Sequence, residues 1–168
     1  PPDAAAACRR FVDDGGELLD SIPVGKRWAM IIDGLFGIGL QRPIAGRHGE
    51  LVLAANTLAA RDRCPLLALD CPSGLDADTG RLCGMAIRAS HTISFIASKP
   101  GLHTGDGPDH CGTVSVATLD LDAERLVKPT ARTLGVDLLV DRLRPRARNT
   151  HKGSNGSAGI LGGAASMV

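Results

Sequence analysis

Aromatic side chains are nearly absent from this chain: it has no tyrosine, one tryptophan and three phenylalanines among 168 residues. A hydrophobic core must therefore be built from alanine, valine, leucine and isoleucine. An excess of charge of one sign is also absent, because 19 lysine and arginine residues face 18 aspartate and glutamate residues, a formal net charge of +1. Such a balance produces no strong electrostatic field. Neither nucleic acid nor an acidic membrane surface is therefore expected as a partner.

Long apolar runs and paired cysteines are also missing. No run approaches the length of a membrane span, and no charged segment followed by an apolar one resembles an export signal. The five cysteines are odd in number and include no C-x-x-C pair, and the five histidines show no metal-ligand spacing. These features argue against a disulfide framework and a structural zinc site. We therefore predict a protein of the reducing cytoplasm that does not bind membranes.

Two apolar stretches each end in an aspartate that precedes a turn. Asp33 follows AMII and precedes the glycine-rich segment GLFGIG, and Asp70 follows LLAL and precedes CPSG. This pattern is typical of buried strands that deliver polar groups to a site at their ends. We predict strands at residues 28–32 and 65–69 and, from apolar residues at helical spacing, a helix at residues 50–61 between them. The continuous apolar character of the first strand indicates burial on both faces.

The strand–helix–strand order predicts a crossover with two parallel strands. Parallel strands end at the same edge of a sheet, and open α/β sheets bind ligands there. Asp33 and Asp70 would therefore share one crevice, although a capping or turn role explains either aspartate alone about equally well. Ser73 is not part of a G-x-S-x-G nucleophile motif, so we interpret its hydroxyl as an oxygen ligand for a hard cation. We interpret Cys71 as a small apolar filler and not as a nucleophile.

The rest of the chain is predicted to extend the same sheet, and a basic segment interrupted by proline then follows. Residues 92–96 and 113–117 are predicted as third and fourth strands, so the fold class is α/β with a mostly parallel sheet. The glycine- and proline-rich loop at residues 98–112 joins them, and loops of this length are usually functional. The basic, proline-broken segment at residues 142–148 predicts a domain boundary near Pro145.

Three segments of the chain resemble one known family. They are DGLFGIGLQRP (residues 33–43), LDCPSGLDADTG (residues 69–80) and FIASKPGLHTGDGPDHCG (residues 95–112), and they are similar to the NAD(P)H-hydrate epimerase domain. A fourth segment, RPRARNTHKGSNGSAGILGG (residues 144–163), resembles the opening of the ADP-dependent NAD(P)H-hydrate dehydratase domain. In many bacteria these two domains are fused in this order as one nicotinamide repair enzyme.

The resemblance implies a fold and a domain organisation. The epimerase of this family is a Rossmann-like three-layer αβα sandwich, which would be incomplete at its N-terminus here. Residues 1–143 would be the C-terminal part of the epimerase domain. Residues 144–168 would be a linker and the truncated start of a ribokinase-like dehydratase domain. The resemblance also implies a homo-oligomer in the full-length protein.

The resemblance further implies an activity and a set of site residues. The epimerase interconverts the R and S forms of hydrated NADH and NADPH (NADHX and NADPHX), and the dehydratase removes water from the S form with ADP or ATP and Mg²⁺. By motif, Asp33 and Ser73 would be ligands of a potassium ion, and Asp70 would contact substrate and transfer a proton. The remaining substrate contacts would come from the turn after the first strand: Gly37, Ile38, Gly39, Leu40, Gln41, Arg42 and Pro43.

This sequence also departs from the family pattern, and alternatives remain. The epimerase domain carries an asparagine- and glycine-rich phosphate motif that does not occur here. We therefore expect an internal fragment of a bifunctional protein, or an incomplete gene model, with little or no activity by itself. A non-catalytic epimerase-like scaffold or nucleotide-binding interaction module is the main alternative. A generic Rossmann-like oxidoreductase is another, and the incomplete glycine fingerprint argues against it.

Overall fold

The computed structural model describes residues 2–40, 42–140, 145–157 and 159. The chain divides into two compact units, Pro1–Pro129 and Thr130–Val168. The described part of the second unit contains the short helix Asp137–Val140 and a turn near residues 152–154. The domain boundary expected near Pro145 stays a prediction, because residues 141–144 lie outside the described part of the chain.

The first unit contains one sheet of parallel strands. Neighbours in sequence are also neighbours in space, and the strands are β1 (Ile31–Asp33), β2 (Leu66–Leu69), β3 (His91–Phe95) and β4 (Thr113–Ala117). All three pairings are parallel, which confirms the α/β class. Because each strand must be reached by a crossover, and crossovers are right-handed, this strand order places the connections on one face of the sheet.

Helices of the first unit vary widely in length. They are α1 (Pro2–Asp13), α2 (Gly46–Asp62), α3 (Gly107–Cys111) and α4 (Ala123–Leu126), with a 3₁₀ turn at Pro100–Leu102. The crossover from β1 to β2 contains α2, as the apolar spacing predicts, and the crossover from β3 to β4 contains the 3₁₀ turn and α3. None of the helices in the described ranges is both long and apolar enough to cross a lipid bilayer.

The hydrophobic core lies on one face of the sheet. Val52 and Ala55 of α2 pack on Leu66 and Ala68 of β2. A second cluster continues this core toward β4, and it contains Cys71, Leu75, Ala77, Leu102 and Cys111. Small and aliphatic side chains therefore do fill the core, as the scarcity of aromatic residues requires.

The expectation that β1 is buried on both faces is wrong, as the opposite face of the sheet shows. Ile32 is 59% exposed, so the strand is not buried on both faces. The helix α1 has no buried residue, so it does not cover this part of the strand. The strand is also shorter than expected, because the N–H of Trp28 donates to Asp62 Oδ2 of α2 (3.3 Å) instead of joining the sheet.

Candidate functional site

Two aspartates lie at the carboxyl edge of neighbouring strands. Asp33 is the last residue of β1, and Asp70 directly follows β2. Asp33 is in register with Ala68, so the two strands end at nearly the same level. The N–H of Asp70 still donates to the carbonyl oxygen of Ile93 (2.7 Å), which anchors this residue at the sheet edge. The structure therefore brings both aspartates to one edge, while their roles as ligand and proton carrier stay predictions.

Asp33 and Ser73 form a buried hydrogen-bonded pair. Asp33 is only 4% exposed. The N–H of Ser73 donates to Asp33 Oδ2 (2.7 Å), and Ser73 Oγ donates to Asp33 Oδ1 (2.6 Å). Ser73 Oγ in turn accepts a hydrogen bond from the N–H of Phe36 (3.0 Å). The pair therefore fastens the turn after β1 to the turn after β2.

The charge of Asp33 has no counter-ion among the described residues, whose ion pairs all involve other groups. A buried carboxylate without a cationic partner is costly. Its oxygens have about four acceptor sites, and three are used, by the two donors of Ser73 and by the N–H of Leu35 (3.3 Å). Counting the described residues, one acceptor site on Asp33 is therefore open to a further ligand or donor.

The oxygens around Asp33 suit a hard cation of low charge. The carbonyl oxygen of Phe36 lies 3.3 Å from Ser73 Oγ, so carboxylate, hydroxyl and carbonyl oxygens are gathered at one place. The described residues contain no cluster of three or more His, Cys, Asp or Glu side chains placed to hold a metal. A cation here would therefore depend on hydroxyl and backbone oxygens as well as on Asp33.

Asp70 forms an ion pair that the sequence analysis missed. Its Oδ1 accepts hydrogen bonds from Lys99 Nζ and from the N–H of Phe95 (3.1 Å). The side chains of Asp70 and Lys99 are 22% and 17% exposed, so the pair lies at the boundary of the core and the solvent. The backbone of Asp70 has φ of +70°, a conformation that costs non-glycine residues energy and is enriched at functional sites.

A glycine-rich turn passes beside the free oxygen of Asp70. A Cβ atom placed on Gly37 would lie 3.8 Å from Asp70 Oδ2, and Oδ2 takes no hydrogen bond from the described residues. A pocket of about 660 Å³ opens at this turn, and it is lined by Leu35, Phe36, Gly37, Gly39, Leu40 and Arg42. Leu35 and Phe36 were not among the expected substrate contacts.

Not every residue expected in the substrate site lines this pocket. Ile38 and Pro43 are exposed and do not contribute to its lining, and Asp70 does not line it either. Gln41 lies outside the described residues, so the structure does not test it. Gly37, Gly39, Leu40 and Arg42 do line the pocket. A pocket wall made largely of glycine and aliphatic groups lets a ligand approach the backbone closely.

The long loop between β3 and β4 packs tightly against the turn that follows β2. A Cβ atom on Gly101 would lie 2.2 Å from the carbonyl oxygen of Asp76, and one on Gly80 would lie 1.9 Å from that of Thr104. Real Cβ atoms do not approach so closely, so these glycines are required for the two backbones to meet. The packing holds the segment that begins at Lys99 beside Asp70.

The carboxylate of Asp76 stabilises the turn at residues 76–79 through hydrogen bonds. Asp76 Oδ1 accepts hydrogen bonds from the N–H of Thr79 (2.7 Å) and from Thr79 Oγ1 (2.6 Å). The hydroxyl and the N–H of Thr79 hold the pKa of Asp76 below its ordinary value, because both bonds favour the ionised form. Asp76 therefore stabilises the turn and is not a further candidate for catalysis.

Cys71 lies between Asp70 and Ser73 in the sequence, yet its thiol is not activated as a nucleophile. It is 1% exposed, and burial raises the pKa of its thiol to about 12. Only the thiolate is nucleophilic, so this cysteine stays neutral and inert at physiological pH. This agrees with its interpretation as a small apolar filler.

The fold and the site define a class: an open α/β domain with a ligand crevice at the carboxyl edge of its parallel strands. Residues 2–101 match the family described as YjeF-related protein N-terminus, and the chain belongs to this family. It is 37% identical over 166 residues to the bifunctional NAD(P)H-hydrate repair enzyme Nnr of Vibrio cholerae, a match that covers 97% of this chain and 33% of the relative.

Other relatives agree with this assignment. The bifunctional NAD(P)H-hydrate repair enzyme Nnr of Escherichia coli is 36% identical over 165 residues, which cover 97% of this chain and 31% of that enzyme. The NAD(P)H-hydrate epimerase of Achromobacter xylosoxidans is 43% identical over 120 residues, which cover 71% of this chain and 56% of that enzyme. The chain thus spans about a third of the two repair enzymes and just over half of the epimerase.

Proposed function

We propose that the protein containing this chain is an NAD(P)H-hydrate epimerase, which interconverts the R and S forms of NADHX and NADPHX in nicotinamide nucleotide repair. The proposal rests above all on Asp70, whose Oδ2 is free of hydrogen bonds from described residues and lies 3.8 Å from where a Cβ on the pocket residue Gly37 would be, although Asp70 itself does not line the pocket. The family membership and the names of the relatives support the choice of substrate.

The proposed reaction requires a proton carrier beside the hydrated ring. Inverting the hydroxyl-bearing carbon needs a group that takes up and returns a proton while that carbon loses its configuration, and a carboxylate within reach of the hydroxyl can do this. Asp70 Oδ2 is the carboxylate oxygen that remains available for the exchange. The glycine-rich turn, with Gly37 and Gly39, would hold the nucleotide against this oxygen.

A potassium ion is the proposed cofactor of this site. Asp33 and Ser73 would hold it, because Asp33 is a buried carboxylate with no counter-ion in the part of the chain that the structure describes, and its neighbours offer hydroxyl and carbonyl oxygens. When bound, the ion would supply positive charge beside the nucleotide phosphates. The residues of the chain would do the rest: Ser73 joins the two turns, and Asp70 exchanges the proton.

Further features of the complete protein are also proposals. Residues 144–168 would lead into a dehydratase domain that acts on the S form with ADP or ATP and Mg²⁺, which the names of the two bifunctional relatives support. The complete protein would be a cytoplasmic homo-oligomer. The partly exposed sheet face around Ile32 would then be covered by other parts of the assembly.

Replacement of Asp70 by asparagine in the full-length protein tests the proposed function. We expect R/S exchange, followed by chromatographic separation of the two epimers, to fall by at least about 100-fold, since a positioned acid–base group contributes at least this much. Asp78→Asn is the matched control, because this exposed aspartate lies in the later turn at residues 77–79 and takes no part in the proposed site. Near-normal exchange by Asp70→Asn would remove Asp70 from the mechanism.

Thermal stability distinguishes the enzyme from a non-catalytic scaffold. An epimerase with a potassium site should be stabilised by NADP-type nucleotide, and potassium should increase this stabilisation. A scaffold should show no such coupled response.

A further inference from the structure

Lys99 is held by three hydrogen bonds, which matches the number of donors on an ammonium group. Its Nζ donates to Asp70 Oδ1, to Ser94 Oγ (2.9 Å) and to the carbonyl oxygen of Phe95 (3.0 Å). All three N–H groups are therefore used within the protein. An ammonium group in this arrangement has no proton directed at the pocket, so it is not suited to be the acid of the reaction.

The acceptors around Lys99 are themselves fixed. Ser94 is a buried residue of β3, and its hydroxyl donates to the carbonyl oxygen of Ala97 (2.8 Å), which directs an oxygen lone pair toward Lys99. Phe95 contributes its carbonyl oxygen to Lys99 and its N–H to Asp70. The end of β3 thus holds both members of the ion pair.

This arrangement makes the two oxygens of Asp70 unequal. Oδ1 accepts two hydrogen bonds, from Lys99 and from the N–H of Phe95, whereas Oδ2 accepts none from the described residues. Because Oδ1 is held at a strand end, the carboxylate cannot rotate freely. Oδ2 therefore remains open beside the pocket residue Gly37, on which a Cβ would lie 3.8 Å from this oxygen.

We propose that Lys99 is a positioning residue of the epimerase site, which fixes the carboxylate of Asp70 so that Oδ2 is the oxygen that exchanges the proton. The inference rests on the proposed function and extends it by one residue. A merely structural ion pair would stabilise the fold and leave the turnover of folded protein unchanged. A positioning role affects kcat, because a displacement of a reacting group by about 1 Å costs about 100-fold in rate.

The test compares Lys99→Met, Lys99→Arg and Lys99→Ala in the full-length protein, with R-form NADPHX as substrate and constant potassium. We expect Lys99→Met to lower kcat about 100-fold with KM little changed. Lys99→Arg, which keeps the charge and the N–H donors, should retain more activity than Lys99→Met. Lys128→Met is the matched control, because Lys128 is exposed and lies outside the site.

Chemical rescue separates positioning from stability. Ethylammonium should restore kcat to Lys99→Ala in a saturable manner, whereas tetramethylammonium, which has the same charge and no N–H group, should not. Thermal denaturation establishes that each variant is folded. If Lys99→Met does not fold, the comparison uses Lys99→Ala without added amine, which likewise has no side-chain N–H donor.

The outcomes distinguish this inference from the proposed function. Exchange by the wild-type protein and its loss in Asp70→Asn support the function, and wild-type kcat in folded Lys99→Met or Lys99→Ala would then overturn the positioning role alone. A rise in KM with unchanged kcat would overturn it as well, as would equal rescue by both ammonium ions. Absence of exchange in the wild-type protein would remove both proposals together.

Discussion

Replacement of Ser73 by alanine should destabilise the protein strongly, although serine is a small residue. The hydroxyl makes one buried and one partly buried hydrogen bond: it donates to Asp33 Oδ1 (2.6 Å) and accepts from the N–H of Phe36 (3.0 Å). Loss of a hydrogen bond to a charged group costs about 1.5–3 kcal/mol, and a buried N–H left without a partner costs about 1–3 kcal/mol. The N–H of Ser73 still donates to Asp33 Oδ2, so we expect a total near the lower sum, about 2.5 kcal/mol.

Urea denaturation measures this loss as the free energy of unfolding extrapolated to water, with an unchanged dependence on urea concentration. Ser115→Ala is the control, because Ser115 is exposed on β4, and surface substitutions change stability by about 0.5 kcal/mol or less. A double-mutant cycle with Asp33→Asn should give a coupling energy of about 1 kcal/mol or more. A loss in Ser73→Ala no larger than in Ser115→Ala would refute the account of the Asp33–Ser73 pair.

The same variant tests the proposed cation without any measurement of turnover. An ion that binds only the folded protein stabilises it as its concentration rises above the dissociation constant. We expect potassium, exchanged for tetramethylammonium at constant ionic strength, to stabilise the wild-type protein more than Ser73→Ala. Equal stabilisation of both proteins would remove Ser73 from the proposed ligands.

Two further predictions concern the packing around the site. Gly101→Ala should lower the free energy of unfolding by at least about 2 kcal/mol, because the new Cβ would lie 2.2 Å from the carbonyl oxygen of Asp76. Urea denaturation measures this change. Gly25→Ala is the control, because a Cβ at Gly25 would have no atom within 4 Å. Burial raises the pKa of the Cys71 thiol from 9.0 to about 12, so the unfolded state loses this proton first as pH rises. The free energy of unfolding should therefore decrease as pH rises from 9 toward 12, and the decrease should be smaller in Cys71→Ala.

The ends of β1 and β2 could be predicted from the sequence because the signal is local. An apolar run that stops at an aspartate and a turn predicts where a strand ends, and the intervening helix predicts that Asp33 and Asp70 share an edge. The exposed face of β1 could not be predicted this way. The apolar character of a residue such as Ile32 does not reveal whether another layer of the fold covers its side chain.

Lys99 could not be assigned from the sequence because its role depends on a distant contact. A lysine in a loop is usually a solvated surface residue, and Lys99 lies 29 residues from Asp70 along the chain. The available signal was its place in the long loop after the third strand, where functional residues are common. That signal indicates a region and does not identify a partner.

The sequence by itself determined the α/β class, the strand ends and the glycines of the turns, because apolar periodicity and backbone sterics act over a few residues. Only the tertiary structure decided that Asp33 is buried beside Ser73 and that Lys99 binds one oxygen of Asp70, while within the described ranges Asp33 has no counter-ion and the other oxygen of Asp70 accepts no hydrogen bond. The physical reason is that a hydrogen bond requires its donor and acceptor within about 3 Å in a suitable direction. Segments far apart in the chain meet that condition only after the sheet has brought them together.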